Sequence, residues 1–161
     1  MSKSSAVCCA LLLSLSTRLS VAQTDGGRGD RDRAITFFHQ VQAALKTNDS
    51  QVLSQMAQYP MLSSIHGKTV WIRNPEMFRS KYSLIFTQHT REVILGCRDT
   101  DVWVRPDEGY SVGRGIVWMD ARMPRGQHFP SIDSADFWKA GTFKIITVNG
   151  APEFEKGCDS P

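Results

Sequence analysis

The segment Tyr110–Asp120 reads YSVGRGIVWMD and decides the fold class, because it predicts a long β-strand in the second half of the chain. Its side chains alternate with the period of two that a strand imposes. One face of this strand is expected to carry Tyr110, Val112, Arg114, Ile116, Trp118 and Asp120. The other face holds two glycines, which permit bending or the close approach of a helix.

The sequence on either side of this segment predicts two further strands. Pro106–Gly109 has the composition of a tight turn, and it would join Asp101–Arg105 to Tyr110–Asp120 as an antiparallel hairpin. Thr142–Asn149 is the last clear strand. Ala121–Ala140 is a long irregular segment, and long loops in compact domains are often functional.

The first half of the chain predicts helices and a short hairpin. Apolar residues recur at helical spacing over Asp32–Lys46, and Asp30 is one candidate for the cap of this helix. A second helix, Gln51–Gln58, follows. Leu62–His66 and Lys68–Ile72 are then expected to form two short antiparallel strands.

Asn74 and Pro75 mark the start of another helix, with Asn as the cap and Pro at the first helical position. We expect this helix to run to about Gln88 and a further helical turn to cover Arg91–Leu95. Helices, a hairpin, a helix and then a meander of strands predict an α+β domain.

The two strands at Tyr110–Asp120 and Phe143–Asn149, together with Ile65–Thr69 and Ile72–Phe78, resemble small exported proteins of the NTF2-like (cystatin-like, SnoaL-type) superfamily. The resemblance covers most of the chain, from about Ala34 to Asn149. It implies a cone, in which a strongly curved antiparallel β-sheet wraps around N-terminal helices and leaves a pocket at its open end. It also implies that a homodimer is possible.

The N-terminus predicts a signal peptide over residues 1–22. A charged start at Lys3, an apolar core over Ala6–Leu15 and the small residues of Ser20–Ala22 are its three expected parts. The apolar core is too short to span a membrane, which needs roughly 20 apolar residues. We therefore expect an exported protein, periplasmic or secreted, with a flexible lead-in over residues 23–31, a single domain over residues 32–158 and no membrane anchor after cleavage.

Charge and cysteine content narrow the possible partners. The formal net charge is +3, and Lys3 and Arg18 leave with the signal peptide, so the mature chain is close to neutral. A surface for nucleic acid needs clustered cations, and none is expected here. Cys97 and Cys158 remain after cleavage and suggest a disulfide in an oxidising compartment, with two free thiols or a reactive nucleophile as the alternatives.

The sequence carries no reaction signature, and we predict no metal and no cofactor. The four histidines lack the spacing of metal ligands. Arg114 and Trp118 could form the polar and aromatic wall of a pocket, with Tyr82 and Phe86 as further ligand-binding residues. The alternative is a solvent-facing arginine beside a tryptophan that only packs.

The resemblance also implies candidate catalytic residues. Isomerases and dehydratases of the superfamily place an acid or histidine base opposite a donor inside the cone. Asp120 would be the base and Tyr82 the donor here, with His66 as a substitute base.

Three functions are therefore considered. The first is non-catalytic binding of a small, partly apolar ligand in the cone. The second is a periplasmic inhibitor or immunity protein that contacts a protein partner through the loop Arg122–Phe137. The third is a small lyase or isomerase.

Overall fold

The computed structural model describes residues 26–105, 108–122, 141–150 and 158. The expected signal peptide and most of the loop Ala121–Ala140 lie outside these residues. Within them, no helix combines the length and the apolar composition that crossing a membrane requires.

Five helices and one 3₁₀ turn make up the helical part of the described chain. The first begins at Gly26, ahead of the expected start at Asp32, so Asp30 lies within the helix and does not cap it. Asn74 accepts a hydrogen bond from the Met77 amide at 2.8 Å, which confirms the predicted cap. The helix expected to reach Gln88 is instead interrupted at Lys81. The elements are α1 (Gly26–Lys46), α2 (Ser50–Met56), α3 (Pro75–Ser80), α4 (Tyr82–Ile85), α5 (Gln88–Gly96) and the 3₁₀ turn Asp99–Asp101.

Six strands form one curved sheet that does not close on itself. They are β1 (Ala57–Ile65), β2 (Lys68–Ile72), β3 (Val102–Arg105), β4 (Gly109–Val112), β5 (Val117–Arg122) and β6 (Thr142–Val148), in the order β2-β1-β6-β5-β4-β3. The α+β class is confirmed. The expectation of a purely antiparallel sheet is wrong, because β1 and β6 run parallel. These two strands are distant in sequence, so no tight turn constrains their relative direction.

Tyr110–Asp120 is a tight hairpin and not one strand. The chain reverses at Gly113, Arg114 and Gly115, whose φ angles are 61°, 57° and 97°. The amide of Gly115 donates to the Val112 carbonyl at 3.2 Å, and the amide of Ile116 donates to the Gly113 carbonyl at 3.3 Å. Glycine adopts positive φ at little cost, so the two glycines permit the reversal that the period-two pattern concealed.

The reversal separates the residues that were expected to share one face. Tyr110 pairs with Met119, and Val112 pairs with Val117; these four side chains are buried against the helices. Ser111 pairs with Trp118, and both point to the opposite side of the sheet. The prediction that Tyr110 and Val112 share a face with Trp118 is therefore wrong.

The hydrophobic core fills the space between the helices and one face of the sheet, which we call the inner face. Strands contribute Met61, Ile72, Val112, Met119 and Ile145 to it, all with no more than 1% of their surface exposed. The helices contribute a cluster of aromatic rings, described below. The opposite side, which no helix of the described residues covers, is called the outer face.

The expected disulfide is confirmed. Cys97, just after α5, is joined to Cys158 with a Cα–Cα distance of 5.1 Å. The sulfur of Cys158 lies beside the β4–β5 turn, because a Cβ atom built on Gly113 would stand 3.3 Å from it. The bond therefore ties the end of the chain both to a helix and to this turn.

Candidate functional site

A row of side chains crosses the whole outer face. Adjacent members are register partners on neighbouring strands, so they follow one another directly across the sheet. The row runs Trp71, Leu62, Thr147, Trp118, Ser111 and Trp103, from β2 to β3. Trp71 is 54% exposed and Trp103 is 61% exposed, which is unusual for tryptophan. These two tryptophans lie on the two edge strands of the sheet, β2 and β3, so each marks a separate place on the outer face.

One end of this row is a cleft of about 620 Å³, here called the Trp103–Trp118 cleft. Its size falls within the roughly 300–1,000 Å³ of small-molecule sites. Ser111 lies between the two tryptophans in the row and is 3% exposed. The lining residues are Trp103, Val104, Arg105, Ser111, Arg114 and Trp118.

Two cations at the cleft have no ion-pair partner in the described part of the chain, namely Arg105 and Arg114. Nearby cations on the same side of the sheet are engaged: Arg122 lies 3.3 Å from a carboxylate oxygen of Asp120, and Lys144 donates to the Gln55 carbonyl at 2.8 Å. The two unpaired guanidinium groups therefore concentrate positive charge at the cleft.

The β4–β5 turn positions both Arg114 and Trp118. Asn149 holds this turn, since its amide donates to the Ile116 carbonyl at 2.7 Å and its side chain donates to the Gly115 carbonyl at 2.9 Å. A Cβ atom on Gly115 would stand 3.2 Å from the indole nitrogen of Trp118. The bare glycine therefore leaves room for the indole beside the turn.

Tyr82 and Phe86, the other two predicted ligand-binding residues, lie on the helix side of the sheet. Their ring centroids are 5.7 Å apart, and both pack on Phe78 in the core. Burial raises the pKa of Tyr82, and the nearby Arg91 opposes this shift. The four predicted residues thus divide into two pairs: Arg114 and Trp118 share the cleft, whereas Tyr82 and Phe86 are core residues.

The three candidate catalytic residues also lie apart. Asp120 points to the outer face and pairs with Arg122. Tyr82 is 9% exposed, and its hydroxyl lies near Arg91 without a hydrogen bond of ordinary geometry. His66 is exposed in the β1–β2 turn with a φ of 52°. The folded chain does not assemble them into an acid–base pair.

A polar cluster that sequence reasoning missed joins the start of α1 to the sheet. The Tyr110 hydroxyl donates to Asp30 at 3.1 Å, and an Arg33 nitrogen lies 3.6 Å from the other carboxylate oxygen of Asp30. Arg33 also donates to the Gly141 carbonyl and covers the ring of Phe143 at 5.5 Å. Eighty positions separate Asp30 from Tyr110, so no local pattern connects them.

Burial dominates the electrostatics of this cluster. It raises the pKa of Asp30, although the hydrogen bond from Tyr110 and the charge of Arg33 partly offset the shift. Burial, followed by the Asp30 charge, raises the pKa of Tyr110 far above its usual value. These groups are engaged with one another, so we interpret the cluster as a clasp that fastens α1 to the sheet.

Histidine, cysteine, aspartate and glutamate side chains form no group of three that could hold a metal ion within residues 30–105, 108–122 and 141–150. No family model, no curated protein and no solved structure matches this chain. Its function must therefore be argued from the geometry of the outer face.

Proposed function

We propose that this chain is an exported, non-catalytic binding domain of NTF2-like architecture, which holds a small, partly apolar ligand in the Trp103–Trp118 cleft. The observation that carries the proposal is that two tryptophans and two arginines without an ion-pair partner among the described residues line one cleft. Large apolar surfaces with a few polar groups that converge on them are typical of ligand sites.

The packing of the core supports a ligand on the outer face. An interior cone site would need free volume next to Tyr82 and Phe86, but these rings pack against Phe78 with centroid distances of 6.5 and 6.1 Å. Phe78 itself is fully buried. Tyr82 and Phe86, the predicted ligand-binding residues on the helices, are therefore part of the core. Arg114 and Trp118, the predicted residues on the hairpin, remain accessible.

The separation of Asp120, Tyr82 and His66 supports a non-catalytic role. General acid–base catalysis requires groups within hydrogen-bond reach of one substrate. The loop Arg122–Phe137, invoked for an inhibitor or immunity protein, lies outside the described residues apart from Arg122. That function, the protein partner and the homodimer stay predictions.

The proposal can be tested by screening a library of small aromatic and aliphatic compounds against the mature chain by thermal shift and ligand-observed NMR. We expect hits that Trp103→Ala weakens at least about tenfold, the scale of losing one aromatic contact. Trp71→Ala is the matched control, because Trp71 is similarly exposed in the same row but lies outside the cleft.

Tyr82→Phe separates the cleft from the interior. It removes a buried hydroxyl without changing the ring, so we expect unchanged hits and unchanged or slightly higher stability. Hits that survive Trp103→Ala but disappear in Tyr82→Phe would move the site to the interior. A library without hits on the wild-type chain would refute ligand binding.

A further inference from the structure

We propose that the ligand of the Trp103–Trp118 cleft is a planar ring that bears a carboxylate or phosphate group. This inference rests on the proposed function and names the chemistry that the cleft selects. It follows from the two indoles that line the cleft, the position of the two guanidinium groups and the backbone conformation of Arg114.

The tryptophans give the cleft aromatic surface on both sides of β4. Trp103 lies on β3 and Trp118 on β5, and each is the register partner of Ser111 on β4 between them. Aromatic faces pack with flat rings at centroid distances of about 4.5–7 Å. The cleft therefore favours a planar, partly apolar group.

Ser111 separates the two tryptophans and is the smallest side chain in the row. It is only 3% exposed, so its neighbours cover it. The accessible surface of the cleft therefore comes mainly from the other lining residues, which include both indoles and both arginines.

The two arginines lie at opposite ends of β4. Arg105 pairs with Gly109 at the start of β4, whereas Arg114 follows the end of β4 at Val112. A ring held against the indoles therefore has a guanidinium group toward either end of β4, and guanidinium binds carboxylate and phosphate through paired hydrogen bonds.

The conformation of Arg114 favours a role in binding. Its φ of 57° lies in the left-handed region, where a non-glycine residue is disfavoured by about 1–2 kcal/mol. Its side chain is exposed and has no hydrogen bond or ion pair with any described residue. Within the described residues nothing pairs with the guanidinium, and a charged ligand would account for its place at the cleft.

The test uses three probes that share one naphthalene ring and differ in charge: 2-naphthoate, its nearly isosteric neutral partner 2-naphthamide, and 2-naphthyl phosphate. Affinities for the mature chain are measured by isothermal titration calorimetry. We expect at least one of the two anions to bind about tenfold or more tightly than the amide, as for hydrogen bonds to charged groups. Its identity distinguishes a carboxylate ligand from a phosphate ligand.

The variants assign this preference to the two arginines. We expect Arg105→Gln combined with Arg114→Asn to abolish the advantage of the anions, with a smaller loss of affinity for the amide than for either anion. Arg73→Gln is the matched control, since Arg73 is an exposed arginine beside Trp71 in a separate cleft. Trp103→Ala should weaken all three probes alike. Circular dichroism of each variant confirms its fold.

Equal binding of the amide and both anions to the wild-type chain would refute the inference and leave the proposed function standing. An anion preference that survives the double variant would refute the role of the arginines. Failure of all three probes to bind would overturn the inference, whereas the proposed function falls only if the compound library also yields no hits.

Discussion

At the residue scale, Arg114 combines a side chain at the proposed binding cleft with an unfavourable backbone conformation. It sits between two glycines in a turn where all three residues have positive φ. Asparagine adopts this conformation more readily than arginine, because its short polar side chain can bond locally. The residue that suits the turn is therefore not the residue that is present.

Arg114→Asn should leave the chain as stable as the wild type or more stable by up to about 1 kcal/mol, because it relieves part of the left-handed penalty. The free energy of unfolding is measured by denaturant titration. Arg114→Val is the opposing control, since a β-branched side chain at positive φ is more strained than arginine. An asparagine variant that is clearly less stable than the wild type would show that the guanidinium serves the fold.

Single residues were also where sequence reasoning was most reliable. Asn74 as a helix cap and the pairing of Cys97 with Cys158 were both predicted. A cap depends on residues three positions away, and the expected cleavage of the signal peptide would leave two of the four cysteines and so one possible pair. The Asp30–Tyr110 contact was not predicted, because nothing nearby in the chain of either residue points to the other.

At the element scale, the β4–β5 hairpin shows the limit of reading alternation. The sequence of Tyr110–Asp120 alternates with a period of two residues, yet the chain reverses direction within this segment. A reversal changes which face each later residue occupies, so Trp118 lies opposite to the core-facing Tyr110. Gly113-Arg114-Gly115 is the sequence signal of this reversal, but the same glycines are also consistent with bending or close packing of a single strand.

The disulfide is expected to stabilise the elements around this hairpin. Replacing both Cys97 and Cys158 by alanine should lower the free energy of unfolding by about 4 kcal/mol in the chain-entropy model, given a sequence separation of 61 residues. Thermal and denaturant unfolding of the double variant measure this loss. Wild-type protein unfolded in the presence of reductant should match the variant. An unchanged unfolding curve would contradict the prediction.

At the scale of the whole molecule, the layers explain why the four predicted ligand residues separate. Helices cover one face of the sheet, so Tyr82 and Phe86 become part of a close-packed core. In the described part of the chain no helix covers the other face, on which the tryptophans of the row lie. The class of fold was predictable, but the side of the sheet on which the proposed cleft lies was not.

Burial of tyrosine is a property of the whole fold and gives a pH prediction. Burial raises the pKa of Tyr59, Tyr82 and Tyr110 above the ordinary 10.0, and these are the chain's three tyrosines. A group whose folded pKa is raised contributes stability that is fully present below the unfolded pKa and is lost as pH rises through the folded pKa. The free energy of unfolding should therefore not depend on tyrosine ionisation below about pH 9, and it should fall above about pH 10.

Spectrophotometric titration tests this prediction. Folded protein should show little tyrosinate absorbance at about pH 10, whereas the denatured chain should be half ionised there. Ionisation of the folded chain should then coincide with loss of its circular dichroism signal. Normal titration of all three tyrosines in protein that remains folded would contradict the burial seen here.

The sequence by itself determined the α+β class, the cap at Asn74 and the cysteine pair, because each depends on close neighbours or on composition. The tertiary structure alone decided that β1 and β6 run parallel, that Tyr110–Asp120 reverses at Arg114, and that Trp103 and Trp118 flank one cleft. The physical reason is that strand direction and register depend on distant partners. The positive φ angles of Gly113, Arg114 and Gly115 reverse the chain and so set the face of the sheet on which each residue of β5 lies.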